Sequence, residues 1–241
     1  LASLVYTGAL TYTAEGKIEQ KTGIVVNGPT SMRIDRIAEA FGAEVIRCEV
    51  GEANVITAAD SLRKRGYIVR ILGEGSNGGN ITFPSTVRDP LNTLFALIKL
   101  LTIRRKDGSA GLFGIWCMKS GQEHLLEEEL SLHTIISSLP HFSTTSVFEP
   151  RGALTVNIRN HKAIKTEYER IFIREFEVRR TELEHMLKIT SFEVVRYEGT
   201  NTFRGPIAEG PGDDETGGYK ILLKNKAGKN IAFLWMRGSK T

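Results

Sequence analysis

The chain has 241 residues, 41% hydrophobic and 25% charged, a composition that leaves room for two medium domains and excludes a wholly disordered protein. No apolar run approaches the ~20 residues of a membrane span, and Leu1-Ala2-Ser3-Leu4-Val5-Tyr6 lacks the basic flank and long core of a secretory signal, so no membrane association and a cytoplasmic location are expected. Net charge is +4, with 15 basic and 15 acidic side chains in residues 1–140 and 17 and 13 in residues 141–241; without clustered Lys/Arg and interleaved aromatics, nucleic acid is not an expected partner.

Residues 1–20 run from a short apolar piece into a polar, charged stretch and read as a remnant of a preceding domain. Residues 21–140 have the pattern of an α/β domain. Gly23-Ile24-Val25-Val26 predicts a short buried strand, stopped by the turn residues Asn27-Gly28-Pro29. Thr30 or Ser31 then caps a helix whose stripe of Ile34, Ile37, Ala38 and Phe41 has three-and-four spacing and which ends at Gly42. A strand over residues 43–50 leads to Gly51-Glu52, and a helix over residues 54–65 turns Ile56, Ala59 and Leu62 inward before Gly66 stops it. The two cysteines, Cys48 and Cys117, cannot build a disulfide framework or a zinc site and are expected as free thiols in a reducing compartment.

A third strand, residues 67–72, delivers the chain to Gly73-Glu74-Gly75-Ser76-Asn77-Gly78-Gly79. Glycines let the backbone turn and approach a ligand, while Glu74 offers an acceptor pair and Ser76 a hydroxyl, a combination suited to a polyhydroxylated ligand. Ser-Asn-Gly-Gly is also the composition of an ordinary turn. Alternation of strands and helices with short turns implies right-handed crossovers and a mainly parallel sheet, in which ligands bind beyond the carboxyl ends of the strands, where this loop lies. Residues 80–83 extend as a strand, and Arg88-Asp89-Pro90 opens a helix with Leu91, Leu94, Phe95, Ile98 and Leu101 as its buried face. Arg104-Arg105-Lys106 suits its C-terminus, and a further amphipathic helix over residues 124–138 ends at Pro140.

Residues 141–241 read as an α+β domain with an antiparallel sheet. Strands over residues 154–158, 192–197, 219–223 and 231–236 surround one helix over residues 165–188, with Tyr168, Phe172, Phe176, Leu183 and Leu187 along one side. Residues 224–229 form a hairpin loop and residues 204–218 a long loop. The last strand runs into Arg237-Gly238-Ser239-Lys240-Thr241, where a guanidinium, two hydroxyls, an ammonium and glycine-freed amides fall within five residues. Such a mixture can grip a phosphate, and basic tails of this composition also occur without a ligand.

The two loops in this order resemble the α-D-phosphohexomutases, the phosphoglucomutase and phosphomannomutase family, whose members have three α/β domains and an α+β fourth around one cleft. The resemblance implies that this chain is the C-terminal half, with the third and fourth domains. A Gly-Glu-x-Ser-Gly type loop binds sugar hydroxyls there, which places that role on Glu74 and Ser76; Asn77-Gly78-Gly79 departs from the usual continuation and leaves the sugar open. An Arg-x-Ser-Gly/Asn-Thr loop binds the substrate phosphate, matching Arg237, Ser239 and Thr241, with Lys240 where Gly or Asn is commoner. Arg88-Asp89 resembles a basic-acidic pair before the next helix, which makes Arg88 a further phosphate contact. Glu49-Val50-Gly51-Glu52 matches the family's Pro-Val-Gly-His/Lys turn only in part, since Glu52 replaces the cation or imidazole.

Neither the phosphoserine loop, usually Thr-Ala-Ser-His-Asn-Pro, nor the magnesium loop, usually Asp-Gly-Asp-Gly-Asp-Arg, occurs in these residues, and no substitute carboxylate cluster replaces them. The implied function is therefore recognition within an isomerase, an intramolecular phosphotransferase interconverting hexose 1-phosphate and 6-phosphate. Hexose phosphate is the implied ligand, the N-terminal domains of the same enzyme the implied partner, and Mg2+ a cofactor of the full-length enzyme bound outside this chain. No catalytic residue and no metal ligand is expected within it, and a hinge is expected near residues 140–145. Two other readings fit the same residues: a non-catalytic phosphosugar-binding or regulatory module, and an interaction scaffold in which both loops are plain turns.

Overall fold

A computed structural model describes residues 1–74, 79–104, 111–145, 149–152, 155–157, 160–207 and 217–238. The chain divides into two compact units: Leu1–Val26, Thr30–Ile46 and Val55–Ser143 form the first, and Asn27–Pro29, Arg47–Asn54 and Thr144–Thr241 the second.

The first sheet holds β1 (Gly23–Asn27), β2 (Glu44–Cys48), β3 (Ile71–Glu74) and β4 (Gly79–Thr82) in the order β2-β1-β3-β4. Every residue of β1 is buried, as expected for a central strand reading Ile-Val-Val with both faces covered. β1 and β3 run parallel, with Val25 opposite Leu72, and β4 returns antiparallel, so the sheet is mixed and mainly parallel as expected. The ladder of β3 starts later than residue 67, with only Ile68 bridging Thr22 before it, and it extends to Glu74 because β4 pairs back along it.

Local signals place the helices α1 (Ala2–Tyr6), α2 (Arg33–Phe41) and α3 (Glu52–Lys64). Gly42 ends α2 with φ 72 and ψ 18, a left-handed cap that glycine adopts without a Cβ penalty. At its other end Ser31 Oγ accepts from Arg33 N at 3.2 Å. In α3 the buried set is Val55, Ala58, Ala59 and Leu62, one residue back from Ile56.

α4 (Pro90–Thr102) begins as Arg88-Asp89-Pro90 predicts: the Asp89 carboxylate accepts from Leu91 N at 2.9 Å, with Pro at the first position. Its apolar face departs from expectation. Leu91, Leu94, Phe95 and Ile98 are 62, 51, 55 and 43% exposed, and the packing against the core comes from Leu100 and Leu101 at the C-terminal end. On the other side of the helix Asn80 of β4 donates to Thr93 Oγ1 at 3.3 Å. Phe95→Ser is therefore expected to change stability by less than ~0.5 kcal/mol in a urea titration, as at an exposed site, and not by the ~3–5 kcal/mol of a core phenylalanine.

The core of this unit is organised by α5 (Leu112–Ser120), which periodicity does not reveal because Leu112 through Cys117 are buried on every side. Trp116 stacks on Phe41 with ring centroids 6.3 Å apart and donates its indole N–H to Ser138 Oγ at 2.9 Å; Leu10, Ile115 and Ile135 complete the cluster. The helix expected over residues 124–138 is divided into a 3-10 turn, Glu123–Leu126, and α6 (Leu132–Ser137). Three successive glutamates, Glu127 to Glu129, separate them, and Ser131 caps α6 by accepting from Thr134 N at 3.1 Å.

The second unit is α+β with an antiparallel sheet: β5 (Ser191–Glu198), β6 (Asn201–Arg204), β7 (Gly218–Lys224) and β8 (Asn230–Met236) in the order β6-β5-β7-β8. The β7–β8 hairpin forms where expected, with Asn225 Oδ1 accepting from Ala227 N and Lys229 N and Gly228 at φ 74. The single expected helix is two, α7 (His161–Val178) and α8 (Arg180–Leu187), broken at Arg179. Phe172 and Phe176 of α7 pack edge-on against Phe192 of β5, at 5.0 and 4.8 Å between centroids, whereas Leu187, beyond the break, is exposed. Residues 155–157 are not in a strand, and the rest of the strand expected over residues 154–158 lies outside the described residues. Among the described residues no helix is long and apolar enough to cross a membrane.

Candidate functional site

Glu74 is the last residue of β3 and faces Gly79 across the β3–β4 pair; its side chain and Ser76 lie outside the described residues. The strand before it is drawn tightly onto β1, since a Cβ at Gly73 would stand 3.2 Å from the Val26 side chain. β3 thus ends at Glu74 beside a parallel neighbour, β1. Arg88 is an exposed residue immediately before the Asp89 cap. Arg237 is the first residue beyond β8, and Ser239, Lys240 and Thr241 lie outside the described residues.

Within the second unit Arg237 has a partner that its own motif does not announce. Its Nε lies 3.3 Å from Oε1 of Glu49, while its side chain remains 42% exposed. Glu49 is 6% exposed and accepts from Val50 N at 2.8 Å through Oε1 and from Gly218 N through Oε2. Burial pushes its pKa above the ordinary carboxylate value, against the opposing pull of those two N–H groups, Arg237 and Lys165. Next to it the Cys48 thiol is pushed up to about 12 by burial and by Glu49, which keeps it protonated and inert.

Three further charged side chains are buried in this unit. Lys165 on α7 donates to Gly217 O. Lys220, 1% exposed, donates to Gly28 O at 2.7 Å and holds its Nζ 3.8 Å above the Phe233 ring centre. Glu169 accepts from Ile207 N at 2.9 Å and from the Tyr219 hydroxyl at 2.8 Å; burial, with Glu169 beside it, pushes that phenol above its usual range. Each of these groups is satisfied by a fixed backbone or side-chain partner, so the network rigidifies the ground on which Arg237 stands.

Glycines bring the pieces together. A Cβ at Gly28 or at Gly218 would overlap the Trp235 ring, and one at Gly238 would overlap the His161 imidazole. The chain just past β8 therefore lies against His161, the first residue of α7, a helix capped by Asn160 Oδ1, which accepts from Ala163 N at 2.9 Å. The sequence carries a signal for these residues that its motifs passed over. Glu49 ends the run Val45-Ile46-Arg47-Cys48, and Lys220 interrupts Tyr219-Lys220-Ile221-Leu222-Leu223; a charge inside a buried-type strand needs a partner. Among the described residues no three His, Cys, Asp or Glu side chains are placed to hold a metal ion.

The first unit is of the class of α/β domains that present ligand loops at the carboxyl ends of their strands. Residues 3–113 match the sequence model of phosphoglucomutase/phosphomannomutase, alpha/beta/alpha domain III, so this part of the chain is similar to the third domain of the phosphohexomutases. Residues 114–241 lie beyond that match. No curated protein and no solved structure matches the chain.

Proposed function

We propose that the chain supplies sugar and phosphate recognition to a phosphohexomutase, with residues 141–241 serving as the family's fourth domain. The observation that carries this reading is the domain III match over residues 3–113; the Arg237 loop adds to it. Glu74 and Ser76 accept and donate to hydroxyls of a hexose, and Arg237, Ser239, Lys240 and Thr241 hold its phosphate, with Arg88 as a further contact. Glu49 holds Arg237 through Nε, which leaves the Nη groups to meet phosphate oxygens. The phosphoryl transfers themselves require a phosphoserine and a charge-stabilising metal that residues outside this chain would supply. Binding and orientation are then what these residues contribute.

Calorimetry of the polypeptide with glucose 1-phosphate and mannose 1-phosphate tests this. Arg237→Ala is expected to weaken both by about 10–100-fold, the loss of a charged hydrogen-bond pair. An unchanged affinity would remove the phosphate role from Arg237. A module without chemistry predicts the same binding, and a plain scaffold predicts none.

A further inference from the structure

We propose that the second unit carries an oxyanion site of its own, anchored by Arg196 in the cleft between the start of α7 and strands β5 and β7, and that its ligand is a phosphate group. The cleft is lined by Lys162 and Lys165 of α7, Arg196 of β5, Phe203 of β6 and Gly217, Gly218 and Tyr219. Among the described residues that line it, Glu198 is the one carboxylate, against three cations.

Arg196 differs from the four buried charges of this unit. Its Nε and Nη2 are shielded from solvent and donate to no acceptor. Among the described residues the guanidinium lies over the Phe203 ring, 5.9 Å from its centre. Glu49, Glu169, Lys165 and Lys220, by contrast, each have a partner. Buried donors are ordinarily answered, and leaving two on one guanidinium unanswered is unfavourable. Nε and Nη2 also form the side-on edge of the fork, two parallel N–H groups spaced for two oxygens of one oxyanion. Lys162 and Lys165 add a positive field to that edge, and a doubly charged phosphate profits from it more than a carboxylate does. The site does not depend on the role given to Arg237.

The test is thermal unfolding of the whole polypeptide in phosphate-free buffer at constant ionic strength, titrated separately with inorganic phosphate, glucose 1-phosphate and acetate. At about ten times its Kd, phosphate is expected to raise Tm by about 4 °C. Arg196→Gln is expected to remove this rise while leaving the phosphate-free Tm unchanged or higher, because no hydrogen bond within the protein is lost. If that variant fails to fold, Lys162→Gln is read in its place and is expected to weaken phosphate severalfold. Arg237→Ala is expected to retain the response to inorganic phosphate. Equal responses to the free ion and the ester assign inorganic phosphate as the ligand, and a response at least about tenfold tighter to the ester assigns the monoester. No response in the parent protein, an undiminished response in Arg196→Gln, loss of the inorganic phosphate response in Arg237→Ala, or an equal response to acetate overturns the proposal.

Discussion

Lys220→Ala is expected to lower the stability of the second unit by about 3–5 kcal/mol, read as a fall in the urea midpoint without a change in slope. Three losses add in one direction. The Gly28 carbonyl loses its donor at 2.7 Å, the Phe233 face loses the ammonium 3.8 Å above it, and a cavity opens where a side chain 1% exposed had been. Lys220→Met separates these contributions. It keeps most of the volume and ends the desolvation of a buried ammonium, so its expected loss is smaller, about 1–2 kcal/mol. If alanine and methionine prove equally mild, Lys220 does not tie Gly28 to β7.

Glu49→Ala is expected to be of similar size, about 3–4 kcal/mol, because Gly218 N, Val50 N and the Arg237 guanidinium lose their shared acceptor at once. Glu49→Gln leaves one oxygen and is expected to be milder, and it exposes the pH dependence. Burial raises the folded pKa of Glu49 above its ordinary value of 4.5, so in that window the folded state binds the proton more tightly than the unfolded state. The contribution of this group to stability is therefore greatest below 4.5 and falls as pH rises through the raised value. Denaturant titrations from acid toward neutral pH are expected to show this decline in the parent protein and a flatter profile in Glu49→Gln. A parent profile that rises over the same window, relative to the glutamine variant, would mean that the N–H groups and Arg237 outweigh burial.

Both variants also bear on phosphate recognition. Arg237 is positioned by a carboxylate that comes from the residues after β2, so a change at Glu49 is expected to weaken sugar phosphate binding without touching the phosphate loop itself. The rank order Arg237→Ala weaker than Glu49→Gln, and Glu49→Gln weaker than parent, is the signature of a positioning residue. Rescue of binding at acid pH is not expected, since protonating Glu49 also releases Arg237.

The candidate site was legible as two motifs and no more. Arg237 stands just after the last strand, as its sequence places it, whereas Gly73 and Glu74, expected in a loop, are the last residues of β3 because β4 pairs back along them. What holds Arg237 was not legible. Glu49 lies in a turn, Glu49-Val50-Gly51-Glu52, that matches the family's motif only in part, yet Glu49 is buried and bonded to Gly218 N. α4 shows the same limit from the other side: its stripe of Leu91, Leu94, Phe95 and Ile98 has the spacing of a buried face, yet all four side chains are exposed, because periodicity marks an apolar face without saying what packs on it. α5 shows it a third way, since a helix buried all round has no polar side to mark its period.

The sequence by itself determined the features that neighbours within a few residues decide: the fully apolar β1, the glycine cap of α2, the Asp89-Pro90 start of α4, the Asn225–Gly228 hairpin turn and the α/β then α+β order of the elements. These depend on backbone sterics, capping bonds and local periodicity, all of which act over one or two turns. Only the tertiary structure decided which charges are buried and what answers them. Glu49 meets Gly218 across 169 positions, Lys220 meets Gly28 across 192, and two donors of Arg196 meet nothing. Such partners are set by packing between distant segments, where burial makes a polar group depend on whatever the fold brings within about 3 Å.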